Sequence, residues 1–461
     1  MTSEITTFED LPHTIRNISE GTSLLVLNTG AVISPEATAM LQALYSRSVG
    51  GVRNQLRKVG KKGSHEFLET YYIGYGDKSI GDCGDTTVFV DGVSMLVAKA
   101  IQDTPLYNGQ ESSTRYIDFS KQRFVDPIRT GASYAYLENW RGFYLACQEP
   151  VREHLRVLFP LQEGWDEKNY EKTISARAFD ITRGFLPAGA TTNVAWHGPL
   201  RVFFDHLLWL RHHPLAEVRL VAETMIGALQ EAHPDSFNQK RYPATEAYTK
   251  MCMEKFYYFE RDTPFNEVEL LSDTVKRNRF AKCRGALTNR PLKAELPKFM
   301  RAWGGMEFCF MLDFGSFRDA QRNRAVIQRM PLVTMRHGFE EWYLNSLPDS
   351  LCDNAKEFLA HQERELSDMC WGGAVHPTVA QYYIPMGYKL PNQIAGDLPA
   401  LVWFVELRGT RHVHPTLRVK AQRIAEIMMD KLASCGLILH MDTEPDVFDT
   451  RRGTHDIVEH S

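Results

Sequence analysis

Residues 88–101 are Val-Phe-Val-Asp-Gly-Val-Ser-Met-Leu-Val-Ala-Lys-Ala-Ile, and this stretch contains two periodicities in succession. Val88–Leu96 is rich in β-branched residues and alternates, which predicts a strand, whereas Val97–Ile101 has a helical pattern. A similar succession occurs later, where Phe308–Phe314 runs into Phe317–Arg322. Each half of the chain therefore contains a predicted strand that leads directly into a helix.

A second pair of similar segments follows these stretches, again one in each half. The first is Phe185-Leu186-Pro187, then Leu207–Pro214, then a helical pattern at Leu220–Met225; the second is Tyr383-Ile384-Pro385, then Phe404–Arg408 with His414–Arg418, then a helical pattern at Ala421–Met428. Two repeats in the same order indicate a duplication, and the alternative is two α+β segments that are similar by chance. We predict an α+β fold of two tandem units, 1–240 and 241–461, each a mixed sheet packed with helices.

Charge and cysteine usage exclude several classes of protein. The 461 residues contain 53 Lys and Arg against 57 Asp and Glu, a net charge of −4, which argues against a bulk nucleic-acid or membrane-surface binder but permits a local basic pocket. None of the eight Cys forms Cys-x-x-Cys, so a zinc or dithiol site is not expected. Met1–Asp10 has no apolar segment typical of a signal peptide, and no apolar run is long enough to span a membrane. We expect a cytoplasmic protein with reduced thiols.

The segment Tyr107–Tyr116, Tyr-Asn-Gly-Gln-Glu-Ser-Ser-Thr-Arg-Tyr, follows a helix that Pro105 ends. Its carboxylate, hydroxyls, guanidinium and aromatic rings are groups that bind the phosphate, sugar and base of a nucleotide. The alternative is a loop whose polar residues cap helices and pair locally.

Within that segment, Glu111-x-Ser113-x-Arg115-Tyr116 resembles the end of the signature of flavin-dependent thymidylate synthases. In that family the segment holds deoxyuridine monophosphate, so the resemblance implies that Glu111, Ser113 and Arg115 bind substrate. Classical thymidylate synthases use a Cys that follows a Pro, and no Cys follows a Pro in this chain.

Further motifs of the same family occur in order. Gly76-Asp77-Lys78-Ser79 resembles its Gly-His-x-Ser/Thr motif, Arg183–Pro187 its Arg-x-x-Leu-Pro segment, and Leu210-Arg211 its Leu-Arg pair, while Arg201 matches an Arg that contacts flavin. The resemblance implies flavin contacts for Ser79 and Arg201, and substrate contacts for Arg183 and Arg211. Asp77 replaces the family's His, and Pro199 replaces its Asn.

The signature's first half, Arg-His-Arg, is missing from the first unit, where Asp103-Thr104-Pro105 takes its place. Arg318–Arg324, Arg-Asp-Ala-Gln-Arg-Asn-Arg, resembles the family's Arg-x-x-x-Arg-His-Arg in the second unit, with Asn323 in place of His. The resemblance implies that the cofactor contacts are Arg322, Asn323, Arg324 and Arg408, the last in the second Leu-Arg pair. The alternative is a solvated Arg-rich helix face.

The two units thus retain complementary parts of one motif set. Family members are homotetramers with sites between subunits, so the resemblance implies that the two units share one site and that a homodimer mimics the tetramer. The implied reaction methylates C5 of a uridine monophosphate (dUMP to dTMP), with FAD as cofactor and methylenetetrahydrofolate and NADPH as co-substrates; no catalytic side chain is identified. Two alternatives remain: a catalytically inactive relative that binds pyrimidine nucleotide or flavin, and a partner-binding protein that keeps only the fold.

Overall fold

The computed structural model of the chain describes residues 13–27, 34–47, 78–112, 114, 117–237, 240–263 and 267–445. Two compact units form over these ranges. The first unit comprises the described parts of residues 1–116 and 191–257, and the second comprises those of residues 117–190 and 258–461.

The secondary-structure elements of the described residues are as follows. The strands are β1 His13–Ser19, β2 Thr22–Leu27, β3 Asp85–Ser94, β4 Asn108–Glu111, β5 Thr191–Pro199, β6 Glu269–Asp273, β7 Gly305–Asp313, β8 Ile327–Gln328 and β9 Lys389–Asp397. The α-helices are α1 Pro35–Arg47, α2 Met95–Gln102, α3 Gly131–Leu158, α4 Glu167–Thr182, α5 Leu200–Leu210, α6 Ala216–Ala232, α7 Pro234–Phe237, α8 Pro243–Phe256, α9 Arg277–Lys282, α10 Arg284–Thr288, α11 Phe314–Gln321, α12 Glu341–Asn345, α13 Asp349–Met369, α14 Pro377–Ala380, α15 Leu398–Arg408 and α16 Pro415–Leu432. The 3-10 helices are Lys78–Cys83, Arg183–Phe185, Lys298–Trp303, Trp371–Gly373, Gln381–Tyr383 and Ala433–Cys435.

The first unit contains a sheet of order β1-β2-β3-β5-β4 whose strand pairs are all antiparallel. Strand β3 buries alternate residues, among them Val88 and Val90, as expected for a strand with one face on the core. It ends at Ser94, whose hydroxyl accepts from Val97 N at 3.2 Å and caps α2. Every residue of α2 is buried, because the helix lies in the core of this unit.

The second unit contains a sheet of order β6-β7-β9-β8, again with antiparallel pairs only. Central strand β7 is buried almost throughout and contacts α11, α15 and α16. It leads directly into α11, which Asp313 caps by accepting from Ser316 N at 2.9 Å. In this unit α3 also packs on α13, where the rings of Phe143 and Phe358 stack 4.3 Å apart.

The same succession of elements occurs twice along the chain at a constant interval. Helix Gln381–Tyr383, strand β9 and helix α15 each begin 198 residues after Arg183–Phe185, β5 and α5, at 381 and 183, 389 and 191, and 398 and 200. Strand pairing follows the same interval, since Asn108 is opposite His197 and Ile327 is opposite Ala395. The two sheets therefore share the strand order β2-β3-β5-β4 and β6-β7-β9-β8.

Within the second unit, two segments at equivalent positions of this repeat pair with each other. Pro187 and Pro385 form an antiparallel bridge. Ala188 N donates to Ile384 O and Met386 N donates to Leu186 O, both at 2.9 Å, and each of these bonds becomes the other when 198 is added to or subtracted from its residue numbers. The backbone there has local two-fold symmetry.

The predicted α+β fold, with a strand that leads into a helix in each half, is confirmed. The sheets are antiparallel instead of mixed, since every ladder among the described strands has that direction. The boundary at 240 and 241 stays a prediction, although residues 117–190 group with the later part of the chain. No described helix is long and apolar enough to cross a membrane.

Candidate functional site

A cluster of arginines surrounds one carboxylate, Asp319, in the second unit. Asp319 lies on α11, and burial alone would raise the pKa of its carboxyl group. The guanidinium groups that oppose this effect are Arg183, Arg322, Arg408 and Arg318, in decreasing order, and together they hold the pKa of Asp319 well below its usual range. Because four cations act on one anion, this cluster is suited to bind a further anion.

Arg183 is the most buried of the predicted substrate contacts in this cluster. Its Nη2 lies 3.4 Å from Asp319 Oδ2 and donates to Ser316 Oγ at 3.3 Å. Burial opposes its charge, but Tyr343, Asp319, Asp180 and Asp313 raise its pKa above the usual value. The guanidinium is therefore a fixed, permanently charged group.

The C-terminal end of α11 contributes the Arg-Asn-Arg segment. Arg322 caps the helix and is exposed, as is Arg324, whereas Asn323 is buried. Arg408, the last residue of α15, has a pKa lowered by burial and by Arg322 and partly restored by Asp319. Arg408 Nε and Asn323 Nδ2 are buried and have no hydrogen-bond partner among the described residues. Such donors are costly to leave unpaired, so they are available to a ligand.

The corresponding helix of the first unit contains an internal ion pair instead. Lys99 Nζ lies 2.7 Å from Glu111 Oε2, and Gln102 Nε2 donates to the same oxygen at 3.0 Å. Counted from the capping residues Ser94 and Asp313, Lys99 occupies the position of Arg318. Glu111, predicted to contact substrate, is thus bonded within its own unit.

Two further predicted arginines in the first unit also have carboxylate partners. Arg211 follows α5 and forms an ion pair with Glu246, which also accepts from His212. Arg201 is half-buried and lies 2.8 Å from Asp82 Oδ1. Arg201 and Arg211 are therefore available to a ligand only if these pairs are exchanged.

Three predicted contacts cannot be placed. Ser113 and Arg115 lie outside the described residues, and for Ser79, in helix Lys78–Cys83, only the backbone is described. The predicted sharing of one site by both units stays a prediction. No group of His, Cys, Asp and Glu suited to a metal ion occurs among the described residues.

Of the predicted residues, the structure brings together Arg183, Arg322 and Arg408. The sequence analysis did not identify Asp319, although it lies within the quoted Arg-rich motif. It also did not identify Lys99, whose charge within the apolar run Val97–Ile101 is a signal of a buried pair. Tyr343 contacts the cluster from a distant segment and has no local signal in the sequence.

Comparisons with known proteins identify a family for part of the chain. The family model described as thymidylate synthase complementing protein matches residues 33–235. A UPF0159 protein of Chlamydia pneumoniae is 24% identical over 482 residues, covering 91% of this chain and 88% of the relative. A UPF0159 protein of Thermoplasma acidophilum is 24% identical over 484 residues, covering 87% and 95%.

A solved structure, the UMP/dUMP methylase PolB from Streptomyces cacaoi bound with 5-Br UMP, covers 50% of this chain and 93% of its own. Its identity is 15% and its TM-score is 0.26, so it adds nothing to the assignment. The family match agrees with the order of motifs from Ser79 to Arg211 and with the α+β fold. Residues 33–235 of this chain therefore form a diverged domain of the thymidylate synthase complementing protein family.

Proposed function

We propose that the protein is a cytoplasmic, FAD-dependent thymidylate synthase-like methyltransferase that acts at C5 of a uridine monophosphate, converting dUMP to dTMP. Methylenetetrahydrofolate and NADPH are the proposed co-substrates, and a homodimer is the proposed assembly. The family match over residues 33–235 supports the reaction class. The observation that supports ligand binding most directly is the set of four guanidinium groups around Asp319.

The charge of this cluster fits the proposed ligands. A nucleoside monophosphate and a flavin dinucleotide both carry phosphate groups, which arginine binds through paired N–H donors. Arg183, buried and fixed, is proposed to anchor the nucleotide phosphate. Because it is held by Ser316 and Asp319, little conformational entropy is lost when it binds.

The residues at the end of α11 fit the flavin. Asn323 Nδ2 and Arg408 Nε are buried donors without a partner among the described residues, and Arg322 is exposed beside them. We propose that Arg322, Asn323, Arg324 and Arg408 hold the cofactor, with Ser79 and Arg201 as further contacts. A bound reduced flavin would supply the hydride that the methylation needs.

The remaining predicted contacts have a supporting role in this proposal. Glu111 fixes the start of the Tyr107–Tyr116 segment, since its carboxylate is bonded to Lys99 and Gln102 and the next residue, Ser112, donates its N–H to Asn193 O at 2.9 Å. Ser113, Arg115 and Arg211 then complete the substrate contacts. These residues orient the ligands and neutralise their charge.

Purified protein tests this proposal directly. We expect flavin absorbance, saturable binding of dUMP, and release of tritium from C5-tritiated dUMP only when methylenetetrahydrofolate and NADPH are both present. Arg322→Ala and Arg408→Ala should each weaken flavin binding at least about tenfold, since each removes a charged donor. Arg423→Ala, which removes an exposed ion pair on α16, is the matched control and should change neither ligand's affinity.

The alternative of an inactive relative predicts a different outcome. It is favoured by Asn323 in place of His and by Asp103-Thr104-Pro105 in place of Arg-His-Arg. A colourless protein that binds dUMP but releases no tritium, and that does not restore growth of a thymidine-requiring strain, would support this alternative. A protein that binds neither ligand would reject both.

A further inference from the structure

Arg183 lies at one end of a continuous chain of buried hydrogen bonds in the second unit. Its Nη2 donates to Ser316 Oγ at 3.3 Å, Ser316 Oγ lies 2.7 Å from Thr416 Oγ1, and Thr416 Oγ1 donates to Asp313 Oδ2 at 2.6 Å. Ser316 and Asp313 are completely buried, and Thr416 is 7% exposed. A carboxylate is thus connected to the guanidinium through two hydroxyl groups.

The direction of each bond in this chain is determined by its ends. A hydroxyl group has one hydrogen, and Thr416 gives its hydrogen to a carboxylate, which can only accept. Thr416 Oγ1 must therefore accept from Ser316, and Ser316 Oγ accepts from the guanidinium. His414 Nδ1, 2.9 Å from Thr416 Oγ1, occupies the remaining side of that oxygen. Every hydroxyl rotor is fixed, so Arg183 is held from behind.

Tyr343 closes the same network from a different segment. Its hydroxyl donates to Asp313 Oδ1 at 2.8 Å, and its ring lies so close to Gly184 that an added Cβ would be 2.9 Å from ring carbons. Gly315 faces the same group, since a Cβ there would be 3.4 Å from Tyr343 Oη and 3.5 Å from Arg183 Nε. The two glycines thus leave room for the ring and the guanidinium.

The first unit has the equivalent of the carboxylate end but not of the guanidinium end. There Ser94 Oγ donates to Glu217 Oε2 at 2.6 Å. Ser94 caps α2 as Asp313 caps α11, and Glu217 is the second residue of α6 as Thr416 is of α16, so hydroxyl and carboxylate are exchanged.

Two substitutions end the network at that point in the repeat. Val97 occupies the position of Ser316, and Gln381 occupies the position of Arg183. Gln381 is bonded instead to Val333 N and Tyr258 Oη, each at 3.0 Å. The connection from carboxylate to guanidinium is therefore a property of Arg183 and not of the repeat as such.

We propose that Asp313, Thr416, Ser316 and Tyr343 are positioning residues that fix Arg183 for binding the phosphate of a nucleoside monophosphate. The proposal rests on the proposed function for the identity of the ligand. It assigns the network no proton transfer and no contact with the reacting atoms. Its effect is on affinity, because a fixed guanidinium loses less freedom when a phosphate binds.

The first experiment needs no ligand. In protein labelled with ¹⁵N-arginine, the Nε–H signal of Arg183 is assigned by its absence from Arg183→Lys. Thr416→Val keeps the shape of the side chain but removes the hydroxyl, so it should shift that signal and speed its exchange with water by about tenfold or more. Thr416→Ser should restore it. An unchanged signal in Thr416→Val would overturn the proposal, whether or not the protein binds a nucleotide.

The second experiment measures dissociation constants for dUMP in a double-mutant cycle. Thr416→Val should weaken dUMP binding by about three- to tenfold in the wild type and have no effect in Arg183→Ala, because the network acts through Arg183. KM should rise while kcat changes little. Equal effects of Thr416→Val in both backgrounds would show a structural role only and reject the proposal.

Glu217→Gln is the matched control, since it weakens the equivalent bond in the first unit, where no arginine follows. It should leave dUMP affinity and the Arg183 signal unchanged, and a loss of affinity equal to that of Thr416→Val would reject the proposal. If wild-type protein binds no dUMP, the proposed function fails and the nuclear magnetic resonance result still decides whether the network fixes Arg183.

Discussion

Lys99 Nζ and Glu111 Oε2 are 2.7 Å apart in the first unit, and the two side chains are 0% and 1% exposed. A buried ion pair of this kind adds little net stability, because the loss of hydration offsets the attraction. Removal of one partner is nevertheless costly, since the other charge is left without compensation. The pair also joins α2 to the segment that is similar to the family's substrate loop.

Lys99→Met should therefore destabilise the protein by about 3–5 kcal/mol, because it leaves Glu111 buried and unpaired. Urea unfolding followed by circular dichroism measures the change. The double variant Lys99→Met, Glu111→Leu should recover most of the loss. Lys250→Ala, in an exposed pair with Glu254, is the control and should change stability by no more than about 0.5 kcal/mol. A small effect of Lys99→Met would contradict burial of the pair.

Asp319→Asn should strengthen anion binding, in contrast to every arginine variant. The carboxylate competes with a phosphate for Arg183 and is 27% exposed, so removal of its charge should tighten dUMP binding by about three- to tenfold. Isothermal titration calorimetry provides the measurement. Because the neighbouring arginines lower the pKa of Asp319, the effect should persist down to about pH 4. Asp353→Asn, at an exposed carboxylate, should have no effect. Weaker binding by Asp319→Asn would show that the carboxylate assists the ligand.

Glu36→Gln should remove part of the pH dependence of stability. Burial, with a smaller contribution from Asp235, raises the pKa of Glu36 to about 7, despite hydrogen bonds from Ser236. Between about pH 4.5 and pH 7 the folded protein retains a proton that the unfolded chain has lost, so the free energy of unfolding falls as pH rises. We expect a fall of about 1–3 kcal/mol in the wild type and a flatter profile in Glu36→Gln.

Urea unfolding at several pH values across this window measures the dependence. Glu254→Gln, at an exposed position, is the control and should follow the wild-type profile. A Glu36→Gln profile parallel to that of the wild type would assign the dependence to other groups.

Gly189→Ala tests the local two-fold contact. An added Cβ would lie 2.5 Å from Tyr382 O and 3.0 Å from Val125 O, both backbone atoms that cannot move independently. We expect a loss of about 1–3 kcal/mol from the strain. Gly142→Ala, inside α3 with open space around it, should stabilise the protein by about 0.5–1 kcal/mol. A tolerated Gly189→Ala would mean that the paired segments separate easily.

The fold was predictable from sequence because it depends on local periodicity. Val88–Leu96 and Phe308–Phe314 each contain a strand pattern followed by a helical one, and both occur at strand-to-helix junctions capped by a side chain. Pro187 and Pro385 marked the repeat interval that the element bounds reproduce. The direction of the strands was not predictable, because alternation along one strand does not specify its partner.

The candidate site was predictable only in part. Arg183, Arg322 and Arg408 were identified from their similarity to family motifs, but their common neighbour Asp319 became visible only when distant segments were brought together. Tyr343 lies 160 positions from Arg183 in the chain, and nothing in its own neighbourhood indicates a role. Ion pairs such as that of Arg211 with Glu246 likewise depend on tertiary contacts that residue patterns do not encode.

The bridge between Pro187 and Pro385 has a consequence for dilution and for evolutionary change. When two separate chains meet across a two-fold axis, their association depends on protein concentration, and every substitution occurs on both sides. Here both sides belong to one polypeptide, so the effective local concentration is fixed by the connecting chain and dilution cannot separate them. Each side can also mutate alone, as the unlike residues Arg183 and Gln381 at equivalent positions demonstrate.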